Sequence, residues 1–148
     1  MLRTNAGLPD PDLHPEAYAG VLPRRLAAWV IDMAISAVLA AMALPFTLFL
    51  GIFVFPAMVM AVGLAYRAAT IALLSATPGM VLMGLHLRDR HGARLSPADA
   101  LWHSAGYTVS MLVQPLQLVS VAMMALGRRH QGLTDQLLGT AMVDRCMR

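Results

Sequence analysis

Long apolar runs with few charges dominate the hydrophobic pattern of this chain. Between positions 26 and 87 the only residues with a formal charge at neutral pH are Asp32 and Arg67, and between positions 100 and 127 there are none. A helix that crosses a bilayer needs about 20 mainly apolar residues. The first run is therefore long enough for two membrane-spanning helices, and the second is long enough for one.

Prolines and glycines divide these runs into segments. Pro45, Gly51 and Pro56 lie near the middle of the first run, where the chain is predicted to turn. The sequence Thr-Pro-Gly at positions 77–79 is predicted to end the second segment. The pattern thus predicts three apolar segments, at about residues 24–46, 53–76 and 98–126.

In the connection between the second and third segments, two sets of residues alternate and Gly92 follows; the sets are Met80, Leu82, Gly84, His86 and Arg88, and Val81, Met83, Leu85, Leu87 and Asp89. This pattern predicts a short surface hairpin, with an interfacial helix as the alternative. Ser96 is predicted to cap the next helix, with Pro97 at its first position and Asp99 in its first turn.

The third segment has two interpretations. Gln114-Pro115 divides it near the middle, and a proline there kinks or breaks a helix. Arginines lie before the first segment, between the second and third, and after the third. All three groups favour the cytoplasmic side. They can share that side if the third segment enters the membrane and returns, whereas a full third span would place the C-terminus outside.

The composition supports an all-α membrane protein with two to three transmembrane helices. The chain is 58% hydrophobic and only 13% charged, whereas a soluble domain carries about 25% charged residues. Residues 1–22 hold three prolines, show little periodicity and are predicted to be a flexible tail. A membrane domain is predicted at residues 23–144 and a short C-terminal tail at 145–148.

The net charge of +3 comes from arginines that flank apolar runs. The lipid bilayer is therefore the predicted partner, and no nucleic acid is expected. Arg24-Arg25 before an apolar run resembles a twin-arginine leader, but the run continues past the small residues that could be cleaved, and Asp32 interrupts it. Cys146 is the only cysteine, so an intrachain disulfide is excluded.

Asp32 is the most informative charged residue, because a carboxylate at the centre of a spanning helix costs about 2.5–3.5 kcal/mol on insertion scales. It lies seven residues after Arg25, which corresponds to about 10 Å along a helix. If the second segment returns to the same side, Arg67 comes to a similar depth. Asp32 is thus predicted to be the counter-ion of Arg25 or Arg67, either as a static ion pair or as a titratable group on an ion path.

The chain contains the stretches AGVLPRRLAAWVIDMAI at 19–35, ATPGMVLMGLHLRDRHGARLS at 76–96 and RRHQGLTDQLLGTAMV at 128–143. In this order and spacing, the three stretches together resemble the RDD family of bacterial multi-pass membrane proteins. The resemblance identifies Arg25 and Asp32 as the family's arginine and first aspartate, and Asp135 as its second aspartate. From its position Asp135 is expected at the membrane interface, where it caps a helix or binds Arg128 or Arg129.

The chain departs from the family pattern at three positions. Met80 stands where a lysine is usual, Thr134 where a histidine is usual, and His103 where an arginine is common. Members of the family are generally presumed to act in transport, and some are linked to sodium–proton exchange. The resemblance therefore implies ion or small-solute transport in a bacterial plasma (inner) membrane, with a monovalent cation as one expected partner.

The remaining motifs suggest no catalytic chemistry. The five histidines lack metal-ligand spacing, and methionines in apolar helices usually pack or face lipid. We expect no enzyme activity, no cofactor and no metal. The predicted site comprises Arg25, Asp32, Arg67 and Asp135. Two or three segments are too few to enclose a pathway, so a homo-oligomer or partner membrane proteins are expected, and a non-transporting scaffold or accessory subunit is the alternative.

Overall fold

A computed structural model describes residues 7–48 and 50–145. Two long helices form its first half: α1 spans Val21–Ala43 and α2 spans Phe55–Leu74. Short 3-10 helices at Leu44–Thr47 and Leu50–Val54 connect them. The stretches Pro15–Thr47 and Leu50–Leu74 are long and apolar enough to cross a membrane. The prediction of two to three transmembrane helices is thereby confirmed.

Prolines mark the turn between α1 and α2. Pro45 lies in the first turn of one 3-10 helix, and Pro56 lies in the first turn of α2. A proline at these positions removes an N–H group that would have no partner within the helix. The chain therefore reverses where the prolines and Gly51 predicted it.

After α2 the chain forms two short elements, α3 at Pro78–Leu82 and β1 at Leu85–Arg88. Thr77 caps α3, because its side-chain oxygen accepts a hydrogen bond from the Met80 N–H at 3.2 Å. The carbonyl of Ser75 accepts from Leu87 N at 2.8 Å, which holds the strand against the end of α2.

The prediction of a local hairpin is wrong, because the strand that pairs with β1 is distant in the sequence. β1 pairs antiparallel with β2, Ala141–Asp144, in the register Leu85↔Asp144 to Arg88↔Ala141. The Asp89 carboxylate accepts hydrogen bonds from His91 N and Ala93 N and closes a tight turn. The chain after this turn does not return along β1, since Leu95 N donates to Ser75 Oγ. The alternation identified a strand, but it contains no information about which distant strand completes the pair.

The described part of the predicted N-terminal tail is packed onto the sheet. Ala17 and Tyr18 are buried with Ala141 and Val143 of β2, and Leu8 packs against them. The Tyr18 hydroxyl donates to the Pro9 carbonyl at 2.9 Å. The apolar residues of this segment find partners only in a strand more than a hundred positions later, which the local sequence does not reveal.

The third segment is a bent pair of helices. Helix α4 spans Pro97–Leu112, α5 spans Gln114–Leu126, and their axes bend by 116° at Val113. Ser96 caps α4 as predicted, with its Oγ accepting from Asp99 N at 3.1 Å. Pro115 occupies the first turn of α5, where it breaks the segment as predicted.

One end of the bent pair contacts the end of α2, and the other contacts the start of α1. Before the pair, Leu95 N bonds to Ser75 Oγ at the end of α2. After the pair, the His130 carbonyl accepts from Arg25 Nη1 at 3.2 Å. This arrangement is typical of a re-entrant segment rather than of a third full span. Helix α6, Leu133–Leu138, then packs against α4 and α5 and leads into β2.

The distribution of side chains is that of a membrane protein. Many large apolar side chains of α1, α2, α4 and α5 are exposed on the outer surface. Polar and charged side chains are instead buried between the helices; they are Asp32, Ser36, Arg67, His103, Ser104, Ser110, Ser120 and Asp135. Bilayer lipid can cover the apolar exterior, whereas the polar groups must find partners inside the protein.

The pairing of β1 with β2 makes a prediction about topology. In a Cys146→Ser background, the variants Arg94→Cys and Arg145→Cys should react with a membrane-impermeant thiol reagent from the same side of the membrane. Both positions are exposed, and they lie in the segments that follow β1 and β2. Leu48→Cys, in the turn between α1 and α2, is the matched control and should react only from the opposite side. Labelling of positions 94 and 145 from opposite sides would contradict this arrangement.

Candidate functional site

One face of α1 carries the first half of the site. Ala28, Asp32, Ser36 and Ala40 are buried, and each lies four residues after the one before. Side chains four residues apart in a helix project from the same face. Here that face packs against α2 and α3, so the helix places the Asp32 carboxylate inside the protein, with only 1% of the residue exposed.

Three hydrogen bonds hold the Asp32 carboxylate. It accepts from Thr77 Oγ1 at 2.5 Å, from Gly79 N at 3.0 Å and from Tyr66 Oη at 3.0 Å. Two of these donors belong to the Thr-Pro-Gly sequence that begins α3, so this motif both caps a helix and binds the carboxylate. Hydrogen bonds to an ionised group are roughly twice as strong as neutral ones, and they compensate for its burial.

Close approach at Gly79 makes this arrangement possible. A Cβ atom there would lie 2.8 Å from Asp32 Oδ1 and would clash more severely with the carbonyl oxygen of Ala28. Only glycine lets the start of α3 reach α1 at this distance.

The prediction that Asp32 is the direct counter-ion of Arg25 or Arg67 is wrong. Among the described residues, Asp32 forms no salt bridge. The guanidinium of Arg67 instead lies over the ring of Tyr107, 4.3 Å from its centroid, which is cation–π geometry. Tyr107 is fixed in turn by Trp29, whose Nε1 donates to the tyrosine oxygen at 2.6 Å. Hydroxyl and amide donors satisfy the carboxylate, so it needs no arginine.

Arg25 and Asp135 form the buried ion pair of the site. Arg25 Nη2 lies 2.5 Å from Asp135 Oδ2, and Asp135 is fully buried. Its carboxylate also accepts from Gly132 N at 3.0 Å and from Thr140 Oγ1 at 3.1 Å. The bond from Gly132 is a helix-cap bond at the start of α6, as predicted for this residue.

The expectations for the surroundings of Asp135 were otherwise wrong. Asp135 is buried rather than interfacial, and Arg128 pairs with Asp12 on the surface instead. Burial by itself raises the pKa of the Asp135 carboxyl. The positive charge of Arg25, together with His103 and the Gly132 N–H, outweighs burial and lowers this pKa below its usual 3.8.

His103 belongs to the site although the motifs did not place it there. Its Nδ1 lies 3.5 Å from Asp135 Oδ1, and the residue is 6% exposed. Its position was an indication of this role, since His103 stands where the family that the chain resembles often has an arginine. Tyr66, Thr77 and Tyr107 were also missed as site residues. Neutral polar side chains in apolar helices give no sequence signal that separates them from packing residues.

A cavity of about 590 Å³ unites the four predicted residues. Arg25, Asp32, Arg67 and Asp135 all line it, together with His103, although only Arg25 and Asp135 are in direct contact. Helices α1 to α6 all contribute to its walls, which are mostly apolar; the apolar lining includes Leu22, Leu26, Ala28, Ile71, Val121, Met124 and Ala125. Ligand pockets typically have volumes of about 300–1,000 Å³.

The site contains two buried carboxylates whose charge is compensated by hydrogen-bond donors. Each carboxylate accepts three hydrogen bonds within the protein. The described ranges contain no group of three or more histidine, cysteine, aspartate or glutamate residues that could hold a metal ion. The site can therefore bind a polar group or exchange a proton at a carboxylate, inside a largely apolar cavity.

The similarity of this chain to known proteins is at the level of a family. No curated protein and no solved structure matches the chain. The model of the RDD family matches residues 18–139, a range that includes Arg25, Asp32 and Asp135. With most of its length matched and its apolar helices arranged as membrane spans, this chain belongs to the RDD family of membrane proteins.

Proposed function

We propose that this protein transports an ion or a small solute, and that the cavity between its helices is the binding site. The observation that carries the proposal is the set of four ionisable residues, Arg25, Asp32, Arg67 and Asp135, around one cavity inside a membrane domain. Charged side chains at membrane depth are costly, and they commonly mark substrate or ion pathways.

Asp32 is the proposed titrating group of this pathway. It lines the cavity and lies on a helix that is apolar enough to span the membrane. Among the residues that the structure describes, three donors and no arginine hold its carboxylate, so a proton can be gained or lost there without breaking an ion pair. A monovalent cation, including the proton, is the ion that such a group would exchange.

The proposed transport unit is larger than one chain. Two spanning helices and a bent pair give too little wall to surround a pathway. On α2 a row of small residues, Ala57, Ala61, Ala65 and Ala69, faces outward. Small residues at four-residue spacing allow helices to approach closely in membranes. This row supports a homo-oligomer, or partner membrane proteins that pack in the same way.

The proposed location is the bacterial inner membrane, with the sheet end of the molecule in the cytoplasm. The arginines at positions 24, 25, 88, 90, 94 and 145 lie at that end, and the positive-inside rule assigns it to the cytoplasm. We propose no enzyme activity for the chain.

Flux in proteoliposomes tests the proposal. When a sodium or potassium gradient is imposed, the wild-type protein should move protons in exchange for that cation. A pH-sensitive dye inside the vesicles would report the proton movement. Asp32→Asn should reduce the flux at least tenfold, because asparagine keeps the shape and one acceptor oxygen but cannot ionise. Size-exclusion profiles and thermal unfolding would show that the variant is folded.

Asp12→Asn is the matched control, since it makes the same chemical change at an exposed carboxylate. Its flux should equal that of the wild type. Full flux in folded Asp32→Asn would show that this carboxylate is structural. Absence of wild-type flux under every gradient would contradict transport and favour the alternative, a membrane scaffold that organises partner proteins.

A further inference from the structure

Three buried polar atoms that lack a hydrogen-bond partner belong to residues of the same cavity. They are Arg67 Nη2, Ser104 Oγ and His103 Nδ1, of which the histidine nitrogen has the Asp135 carboxylate 3.5 Å away; all three residues line the space. Leaving a buried polar group unsatisfied costs about 1–3 kcal/mol, and more if the group is charged. Such atoms collected around one cavity indicate that a bound group completes their hydrogen bonding.

The charged group with unused hydrogen-bonding capacity in the cavity is a donor, the Arg67 guanidinium. The carboxylates of Asp32 and Asp135 each already accept three hydrogen bonds, and a carboxylate has about four acceptor positions. Arg67, which is 7% exposed, forms no salt bridge within the described ranges, although guanidinium carries five N–H donors. An acceptor with one negative charge therefore suits the Arg67 side of this cavity.

The cavity also opens towards the outer apolar surface. Leu26 on α1 and Val121 on α5 both line it, yet they are 63% and 49% exposed. In the described part of the chain, α1 packs mainly on α2 and α3, and α5 packs mainly on α4 and α6. The cavity therefore reaches the surface that lipid covers between Leu26 of α1 and Val121 of α5. A ligand that uses this opening needs a polar head and an apolar chain.

We propose that the cavity binds a long-chain carboxylate from the lipid phase. Its carboxylate is held by the Arg67 guanidinium and the Ser104 hydroxyl, and its chain extends through the opening between α1 and α5. One arginine without an acidic partner matches a single negative charge, and guanidinium geometry suits the two oxygens of a carboxylate. The proposal concerns equilibrium binding and does not depend on transport.

Binding to protein in nanodiscs of zwitterionic phospholipid tests this proposal without any ion gradient. The probe is a fluorescent long-chain carboxylate. Arg67→Gln should weaken its binding about tenfold to a hundredfold, because a charge-assisted hydrogen bond is lost. Arg67→Lys should bind with intermediate affinity, since it keeps the charge but loses the planar pair of donors. Ser104→Ala should weaken binding about twofold to tenfold.

Arg94→Gln is the matched control, because it removes an exposed arginine outside the cavity lining, and its affinity should equal that of the wild type. Each variant is first checked for folding, and Ser104→Ala tests the site if the Arg67 variants do not fold. Unchanged affinity in folded Arg67→Gln or Ser104→Ala would overturn the proposal. So would equal binding of a short-chain carboxylate, or displacement of the probe by a small molar fraction of anionic phospholipid.

Discussion

Asp135→Ala is expected to destabilise the protein by about 3 kcal/mol, the lower end of the range for buried pairs, because it leaves Arg25, whose side chain is only 17% exposed, without its acidic partner. Arg25 donates to no other carboxylate in the described residues, and its remaining bond goes to the His130 carbonyl. The substitution also removes the acceptor for Gly132 N and Thr140 Oγ1. The free energy of unfolding, measured by denaturant titration in detergent, would report the loss.

Asp12→Ala is the matched control for this variant. It breaks the Arg128–Asp12 pair, whose side chains are 74% and 72% exposed, and exposed pairs contribute only about 0–1 kcal/mol. Equal effects of the two substitutions would contradict the central role given to the Arg25–Asp135 pair. A smaller loss in the double variant Arg25→Leu with Asp135→Ala than in Asp135→Ala alone would support it.

The same pair gives the wild type an acid-sensitive stability. The pKa of Asp135 is lowered in the folded protein from its usual 3.8. The ionised carboxylate therefore stabilises the fold fully above about pH 3.8, and this contribution is lost as the pH falls through the folded-state pKa. The Asp135→Ala variant should lack that part of the acid transition.

Gly79→Ala is expected to cost about 3 kcal/mol or more, at the upper end of overpacking substitutions. The added Cβ would meet the backbone oxygen of Ala28 and the Asp32 carboxylate at 2.8 Å, and neither can move without displacing α1. The hydrogen bonds from Thr77 and Gly79 to Asp32 would be disrupted together. The yield of folded protein and its unfolding temperature would measure the effect.

Gly63→Ala makes the same change on α2 and serves as the control. Its Cβ would lie 3.3 Å from Ser36 Oγ, a side-chain atom that needs to shift by only a few tenths of an ångström. Alanine also favours the helix by about 1 kcal/mol over glycine, so this variant should stay close to the wild type. A mild effect at Gly79, similar to that at Gly63, would mean that α3 does not approach α1 as closely as described.

Local sequence determined the helices and their ends. Apolar runs of sufficient length predicted α1 and α2, and prolines predicted both the turn after α1 and the break before α5. The Ser96 cap was also predictable, because a cap depends on residues within one turn of each other. These features need no information from distant parts of the chain.

The tertiary structure alone decided which partner each polar group has. Asp32 is seven residues from Arg25 in the chain, yet its donors come from α2 and α3, and Arg25 bonds to Asp135 at the other end of the sequence. The strand at 85–88 likewise pairs with 141–144. A charge pattern shows that a buried group needs compensation, whereas only the packing of the helices determines which donor reaches it and where a cavity remains.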